Sequence, residues 1–495
     1  MIESHIPALI ALTFVVFALL IPAFGVWRTE YSQPLSVIGS GLAAVFSLVG
    51  FLNYLNEGSL RYFFGGWEPP IGIEFVYDGM SAFFVLVINT VAFLVLIHSR
   101  QISKMEFPGK EMPYYSLAML MLLGFNGMIL TGDLFNLYVF LEISSLSSYA
   151  LISIGDRQAP FAAFRYLIIG TVGGTLYLLG VGFLYTVTGT LNIIDMSAML
   201  QLSEIFDNSA VFAALILMIV GIGVKAALFP MHGWLPDAYT YASSTSTALI
   251  APIGTKVAAY ILFRIIFWLF SIDITDAIAP VSYIVGILAC IGILYGSIMA
   301  IAQSEMKRML AYSSISQIGY IIMGLSLANP LGFAGALLHV LNHAVMKACL
   351  FLVSGNLRMK EGHSDISRFD DSYRKKYPWT MASFSVAAIS MVGLPPLAGF
   401  FSKWYLALGT IDNENWLFLA VILISSLLNA VYFFRILEKV YMMNPKKDQK
   451  EAAEAKKNEA PASMLIPTSV LAIALIVIGF ANAAIVGFLF NIFPV

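Results

Sequence analysis

Long apolar runs separated by short polar connections make up most of the chain. A helix needs about 20 mostly apolar residues to cross the hydrocarbon core of a bilayer. Fourteen segments meet that need: 6–27, 34–56, 79–99, 113–132, 134–155, 161–189, 208–230, 243–271, 279–303, 308–328, 331–357, 378–411, 415–443 and 464–493. The pattern predicts an all-α membrane protein of about fourteen transmembrane helices. The runs beginning at 161, 208, 243 and 378 contain internal Gly or Pro.

Composition supports the same class. Of 495 residues, 59% are hydrophobic and 11% are charged, against about 25% charged in ordinary soluble domains. A soluble fold of this size could not cover its surface with so few charges, whereas lipid-facing side chains can be apolar. A net charge of −2 gives no reason to expect nucleic acid as a partner. Cys290 and Cys349 both lie in apolar runs and offer neither a disulfide framework nor metal-ligand spacing. The first run lacks a basic flank and is long enough to span, so no cleavable signal peptide is expected.

Charge segregates between alternate connections. One set carries Arg28, Arg100, Lys104, Lys110, Arg157, Lys307 and the basic residues of 358–376 and 446–457. The other has Arg61 as its clear basic residue and carries Glu57, Glu68, Glu74, Asp195, Glu204, Asp207, Asp273, Asp276, Asp412 and Glu414. The basic set is expected on the cytoplasmic side. An even number of spans then leaves both termini outside the cytoplasm. The one soluble-looking stretch, PKKDQKEAAEAKKNEAP (445–461), is expected to be a cytoplasmic connection.

Two spans share a pattern: GVKAALFPMHGWLPDAY (223–239) and MVGLPPLAGFFSKWYL (391–406). Each is an apolar helix interrupted by proline, with Gly, an aromatic and a lysine close by. They are the seventh and twelfth spans. Five helices of offset gives the copies opposite topology, the arrangement of inverted repeats whose ion sites form at broken helices.

Ionisable residues stand inside these apolar spans: Glu142, Lys225, Lys256, the set His339, His343 and Lys347, and Lys403. A charge at a helix centre costs about 2.5–3.5 kcal/mol on insertion scales, so Glu142 with three lysines would cost on the order of 10 kcal/mol unpaired. His339, His343 and Lys347 recur at i, i+4 and i+8 and form one helix stripe, suited to passing protons through water. Moving Glu142 relative to Lys225 would switch the lysine between holding and releasing a proton. Bland alternatives are a structural ion pair for Glu142 and Lys225, packing histidines, and a helix-end snorkelling role for Lys403. His339 and His343 could reach one metal ion, but no third ligand is in evidence. No metal or cofactor is expected.

These stretches, with DLFNLYVFLEISSLSSYAL (133–151), EMKRMLAYSSISQIGY (305–320) and LHVLNHAVMKACLFLVSGNL (338–357), resemble the antiporter-like subunits shared by respiratory complex I and Mrp-type cation/proton antiporters. The resemblance implies fourteen helices with two inverted five-helix repeats and broken seventh and twelfth helices. Residues 1–112 would form three N-terminal helices, 113–271 the first repeat (helices four to eight) and 279–443 the second (nine to thirteen). A cytoplasmic loop (444–463) and a last helix (464–495) would follow. It also implies a hydrophilic axis through Glu142, Lys225, Lys256, the 339–347 stripe and Lys403.

A- and L-like members carry a long C-terminal extension, which is not expected here. Lys403 departs from the glutamate of the M-type subunit and suits the D-type Mrp and N-type complex I subunits. The whole resembles the D type most, including its reuse in a membrane-bound hydrogenase or sulfur-reducing complex. The implied function is a plasma-membrane subunit that moves protons beside other membrane subunits, without redox chemistry of its own. Whether sodium also passes stays open. Alternatives are a complex I N-type subunit and a self-contained ion-coupled solute transporter. A quinone- or haem-binding subunit ranks lowest, since no haem motif is present.

Overall fold

The computed structural model describes residues 3–202, 208–271, 280–442 and 457–494. Glu204, Asp207, Asp273, Asp276 and most of the charged stretch, 445–456, lie outside the described residues. The N-terminal block holds α1 (Ile6–Gly25), α2 (Ser32–Glu57) and α3 (Gly79–Glu106), with a hairpin of β1 (Leu60–Phe63) and β2 (Glu74–Tyr77) between the last two. Then come α4 (Glu111–Leu130), α5 (Leu134–Ser153), α6 (Ala159–Thr188), the short α7 (Ile193–Leu200), α8 (Ser209–Ala226), α9 (Leu235–Tyr241) and α10 (Ser244–Phe263), which continues as a π-helix to Leu269. The remainder comprises α11 (Val281–Ile301), α12 (Met306–Ser326), α13 (Pro330–Glu361), α14 (Ser372–Lys376), α15 (Pro378–Val392), α16 (Ala398–Asp412), α17 (Trp416–Tyr441), α18 (Ala462–Phe480) and α19 (Asn482–Asn491).

Among the described residues, 12 helices are long and apolar enough to cross a membrane, against the fourteen spans expected. The two outside that set have physical reasons. α12 has 21 residues, but Lys307, Arg308 and its serines lower its hydropathy. The expected span 378–411 is divided into α15 and α16, each of 15 residues. The span expected over 208–230 likewise ends as a helix at Ala226 and resumes at Leu235. Proline supplies the cause, since it lacks an N–H and clashes with the preceding turn. Pro230 stands in the first break, and Pro395 and Pro396 in the second. Ala227 (φ 57) and Gly393 (φ 92) carry the left-handed turns that end α8 and α15.

Helix starts follow capping chemistry. Asp133 accepts from Asn136 N–H at 2.6 Å, Asn329 from Gly332 N–H at 2.7 Å, and Ser243 from Ser246 N–H at 3.1 Å. The hairpin falls where hydropathy predicts only a connection. Its strands pair antiparallel from Leu60↔Tyr77 to Phe63↔Glu74. The buried Glu74 pairs with Arg61 at 2.7 Å and accepts from Asn192 Nδ2 at 2.6 Å. The Glu74 carbonyl accepts from Gly132 N–H at 3.0 Å. The hairpin therefore sits across the connections that follow α4 and α6.

The opposite end of the bundle gathers several basic residues. Arg358 pairs with Asp156, and with Glu106 at 3.4 Å. Lys307 donates to the Ala242 carbonyl at 2.5 Å. Asp237 on α9 holds Arg165 at 2.6 Å and Arg308 at 3.4 Å. α10 and α13 are buried on nearly all sides, whereas α1, α2, α6, α17 and α18 keep apolar side chains outward. Such an outward surface suits lipid.

Candidate functional site

Lys225 stands in the last turn of α8, just before the first break. Its amine donates to Ser145 Oγ at 2.7 Å and to Tyr149 OH at 2.9 Å. It also lies 5.8 Å from the centroid of the Tyr166 ring. Glu142, Ser145 and Tyr149 are spaced i, i+3 and i+7 along α5, so they share a face. Glu142 is half-buried and presses on Gly174 of α6, where a side chain would meet its carboxylate. The sequence pairs Glu142 with Lys225. The structure places them on neighbouring surfaces, with no ion pair between them within 4.0 Å among the described residues. Two hydroxyls of α5, rather than the carboxylate, hold the amine.

A cavity of about 30 Å³ continues from Lys225, lined by Ser144, Ser145, Ser148, Tyr239 and Thr255 among others. That is room for about one or two waters. Thr255 leads to the fully buried Lys256, whose amine donates to the Ala251 carbonyl at 2.8 Å and approaches Thr255 Oγ1 at 3.4 Å.

The 339–347 stripe lies on α13, beside α10, and all three side chains are fully buried. Lys347 donates to the Leu310 carbonyl at 2.7 Å and to Ser313 Oγ. Both ring nitrogens of His343 lack a hydrogen-bond partner. Its ring centroid is 6.0 Å from that of His339. His339 joins Ser402 Oγ through Nδ1 at 2.9 Å and Gln317 Oε1 through Nε2 at 3.0 Å. Ser402 adjoins Lys403 in α16. Lys403 reaches back across the second break, donating to the Met391 carbonyl at 3.1 Å, the Val392 carbonyl at 3.0 Å and Ser426 Oγ at 3.3 Å. Lysine at a helix C-terminus satisfies orphan carbonyls. Among the described residues no group of three His, Cys, Asp or Glu side chains is placed to hold a metal ion.

Ser145, Tyr149, Thr255, Ser313, Gln317 and Ser402 complete this line, yet the sequence alone did not single them out. A usable signal existed for two of them. Ser145 and Tyr149 keep helical spacing from Glu142. The others require knowing which helices face each other.

Counting from Pro230 and Pro396 aligns the two breaks. Ala227 then matches Gly393 and Trp234 matches Phe400, but Lys225 matches Met391 and Lys403 matches Asp237. The lysines occupy opposite sides of their breaks.

This fold, with its line of buried amines, defines an antiporter-like membrane subunit. The chain belongs to the family described as NADH:quinone oxidoreductase/Mrp antiporter, TM, which matches residues 131–429. It is 43% identical over 498 residues to NADH-quinone oxidoreductase subunit N of Desulforudis audaxviator, covering 98% of this chain and 97% of that protein. It is 31% identical over 449 residues to the D-type subunit of the Na(+)/H(+) antiporter of Alkalihalophilus pseudofirmus, covering 90% and 87%. A chain in the structure of the membrane-bound sulfane sulfur reductase, an archaeal respiratory membrane complex, superposes with a TM-score of 0.90 at 29% identity, over 98% of this chain and 96% of that one.

Proposed function

We propose that the chain translocates protons through the axis Glu142, Lys225, Lys256, Lys347, His343, His339 and Lys403, as one subunit of a larger membrane assembly. One observation carries the reading. Lys225, Lys256, Lys347 and Lys403 are all buried, and none has a carboxylate within salt-bridge distance among the described residues; hydroxyls and carbonyls hold them instead. Ionisable side chains inside a membrane that face the bundle interior and are held by one another or by backbone carbonyls mark ion pathways, whereas a lysine with no such role reaches for the interface. Without a fixed counter-ion, proton occupancy at each amine responds to charge arriving at the next. The unpartnered His343 between Lys347 and His339 is a site water can bridge.

In this reading fourteen segments cross the membrane, counting α12 and the α15–α16 pair, and helices four to eight and nine to thirteen form inverted repeats. The Arg358 end faces the cytoplasm and both termini lie outside. Other membrane subunits of a complex I-like or Mrp-type assembly are its partners. Higher identity to the N-type relative than to the D-type relative weighs toward a complex I-like parent, and purification of the native complex with its partners decides between them.

The test is Lys225→Ala in the native complex, with coupled proton transport measured per assembled complex. Transport is lost while assembly persists. Near-normal transport would overturn the axis. Glu142→Gln behaves alike, and Glu142→Asp keeps part of the rate because charge survives with shorter reach.

A further inference from the structure

Beside the histidine stripe runs a second set of polar side chains on α11, α12 and α17. From Lys347 it passes to Ser313, whose hydroxyl faces Tyr432 OH. Tyr432 donates to Asn429 Oδ1 at 2.8 Å. On the far side Ser297 also points at Asn429 Oδ1, at 3.5 Å, and contacts Ser425 Oγ at 3.1 Å. Tyr320 OH faces Ser425 and Ser426, and Ser426 receives the Lys403 amine at 3.3 Å. Neighbouring hydroxyls, several of them donating to backbone carbonyls in this arrangement, thus line the way between the two lysines except at one place, where Tyr432 and Ser297 meet on a single amide.

Hydroxyls relay protons because each oxygen accepts one proton as it releases another. An amide does not: its oxygen only accepts and its N–H₂ only donates, with no exchange between them. Asn429 is fully buried, and its Nδ2 has no hydrogen-bond partner. Its oxygen serves Tyr432 and Ser297, but its N–H₂ pairs with nothing, and burying an unpaired N–H₂ is unfavourable.

We propose that Asn429 is a proton insulator, a positioning residue that interrupts the hydroxyl chain between Lys347 and Lys403 and so confines exchange between these lysines to His343 and His339. The inference rests on the proposed relay. With an acid in place of the amide, Tyr432 would pass its proton to one carboxylate oxygen and be refilled from Ser313 and Lys347. The carboxyl O–H so formed at the Oδ1 position would turn and release its proton to Ser297, which faces the same oxygen, and Ser297's own proton moves on toward Ser425. Every hydroxyl then ends with one proton, as it began.

The experiment compares three variants of the native complex in sealed vesicles, each read as proton transport per assembled complex. His343→Ala alone slows transport by at least about tenfold. Adding Asn429→Asp restores the rate to within about threefold of the unmodified complex, by opening the hydroxyl chain. Adding Asn429→Leu, which alters packing without supplying an ionisable group, leaves the rate low. A slow single variant that Asn429→Asp fails to rescue overturns the insulator and leaves the relay standing. Equal rescue by Asn429→Leu overturns it as well, because loosening alone would then suffice. A full rate in His343→Ala alone refutes the relay and with it any confinement to the histidines.

Discussion

In the first broken helix Lys225 precedes the break and reaches sideways to hydroxyls of α5, the helix that carries Glu142. In the second, Lys403 follows the break and reaches back to the carbonyls that end α15. The first break meets the same backbone need without its lysine. Trp234 Nε1 donates to the Val224 carbonyl at 2.9 Å, while its ring stacks on Tyr166 at 3.7 Å between centroids. Phe400, which stands at the matching place in the second break, has no donor to offer. An indole cap therefore leaves Lys225 free to answer a neighbouring charge, whereas Lys403 both carries charge and closes a helix end. In the proposed axis, the two breaks divide structure and transport differently.

The sharpest way to break this comparison is to remove each amine and measure stability beside transport. Lys403→Ala lowers transport severely and also destabilises the solubilised complex by about 1–2 kcal/mol, since two carbonyls at a helix end lose a charged donor. Lys225→Ala abolishes transport with little change in stability, because Ser145 and Tyr149 are hydroxyls that can turn to other partners. Denaturation curves of the two purified variants check both. Equal stability losses would show that the lysines share one role.

Trp234→Phe asks whether the indole cap is what frees Lys225. It copies the Phe400 arrangement into the first break while keeping a ring against Tyr166. The Val224 carbonyl then keeps only the longer bond from Ala227 N–H at 3.2 Å, and the amine is drawn toward the helix end and away from Ser145. Transport per complex falls about fivefold, the effect of about 1 kcal/mol. An unchanged rate would mean that the cap does not govern the lysine.

Much of this division is written locally in the chain and part of it is not. Hydropathy places a span over 161–189 and the structure has α6 at Ala159–Thr188, because burial in lipid needs only a run of apolar neighbours. Prolines announce both breaks, since their missing N–H acts within one turn. The hairpin over 60–77 escapes such windows, as strands LRYF and EFVY are short and gain their stability from Asn192 and Gly132 far along the chain. The same limit hid the direction of the lysines. Sequence shows Lys225 and Lys403 near a break; only the packed helices show which one touches carbonyls.

The smallest expected effect concerns the residues that turn the chain at each break. Ala227 and Gly393 match in register, and both adopt positive φ, 57 and 92. A side chain in the left-handed region loses about 1–2 kcal/mol relative to glycine, while glycine sacrifices about 0.5–1 kcal/mol of backbone entropy relative to alanine. Ala227→Gly should therefore stabilise the complex slightly, by about 0.5 kcal/mol net. Gly393→Ala carries the opposite sign and a second penalty. Its Cβ would lie 3.0 Å from Lys403 Cδ and 3.4 Å from Nζ, pushing the amine off the Met391 and Val392 carbonyls. Gly393→Ala should then reproduce part of the stability and transport losses of Lys403→Ala, while Ala227→Gly leaves Lys225 in place and transport nearly unchanged. Unfolding curves and transport rates for the two variants read this directly. If Ala227→Gly slowed transport as much as Gly393→Ala, the two breaks would be positioning their lysines in the same way, and the distinction between a free amine and a capping one would fall.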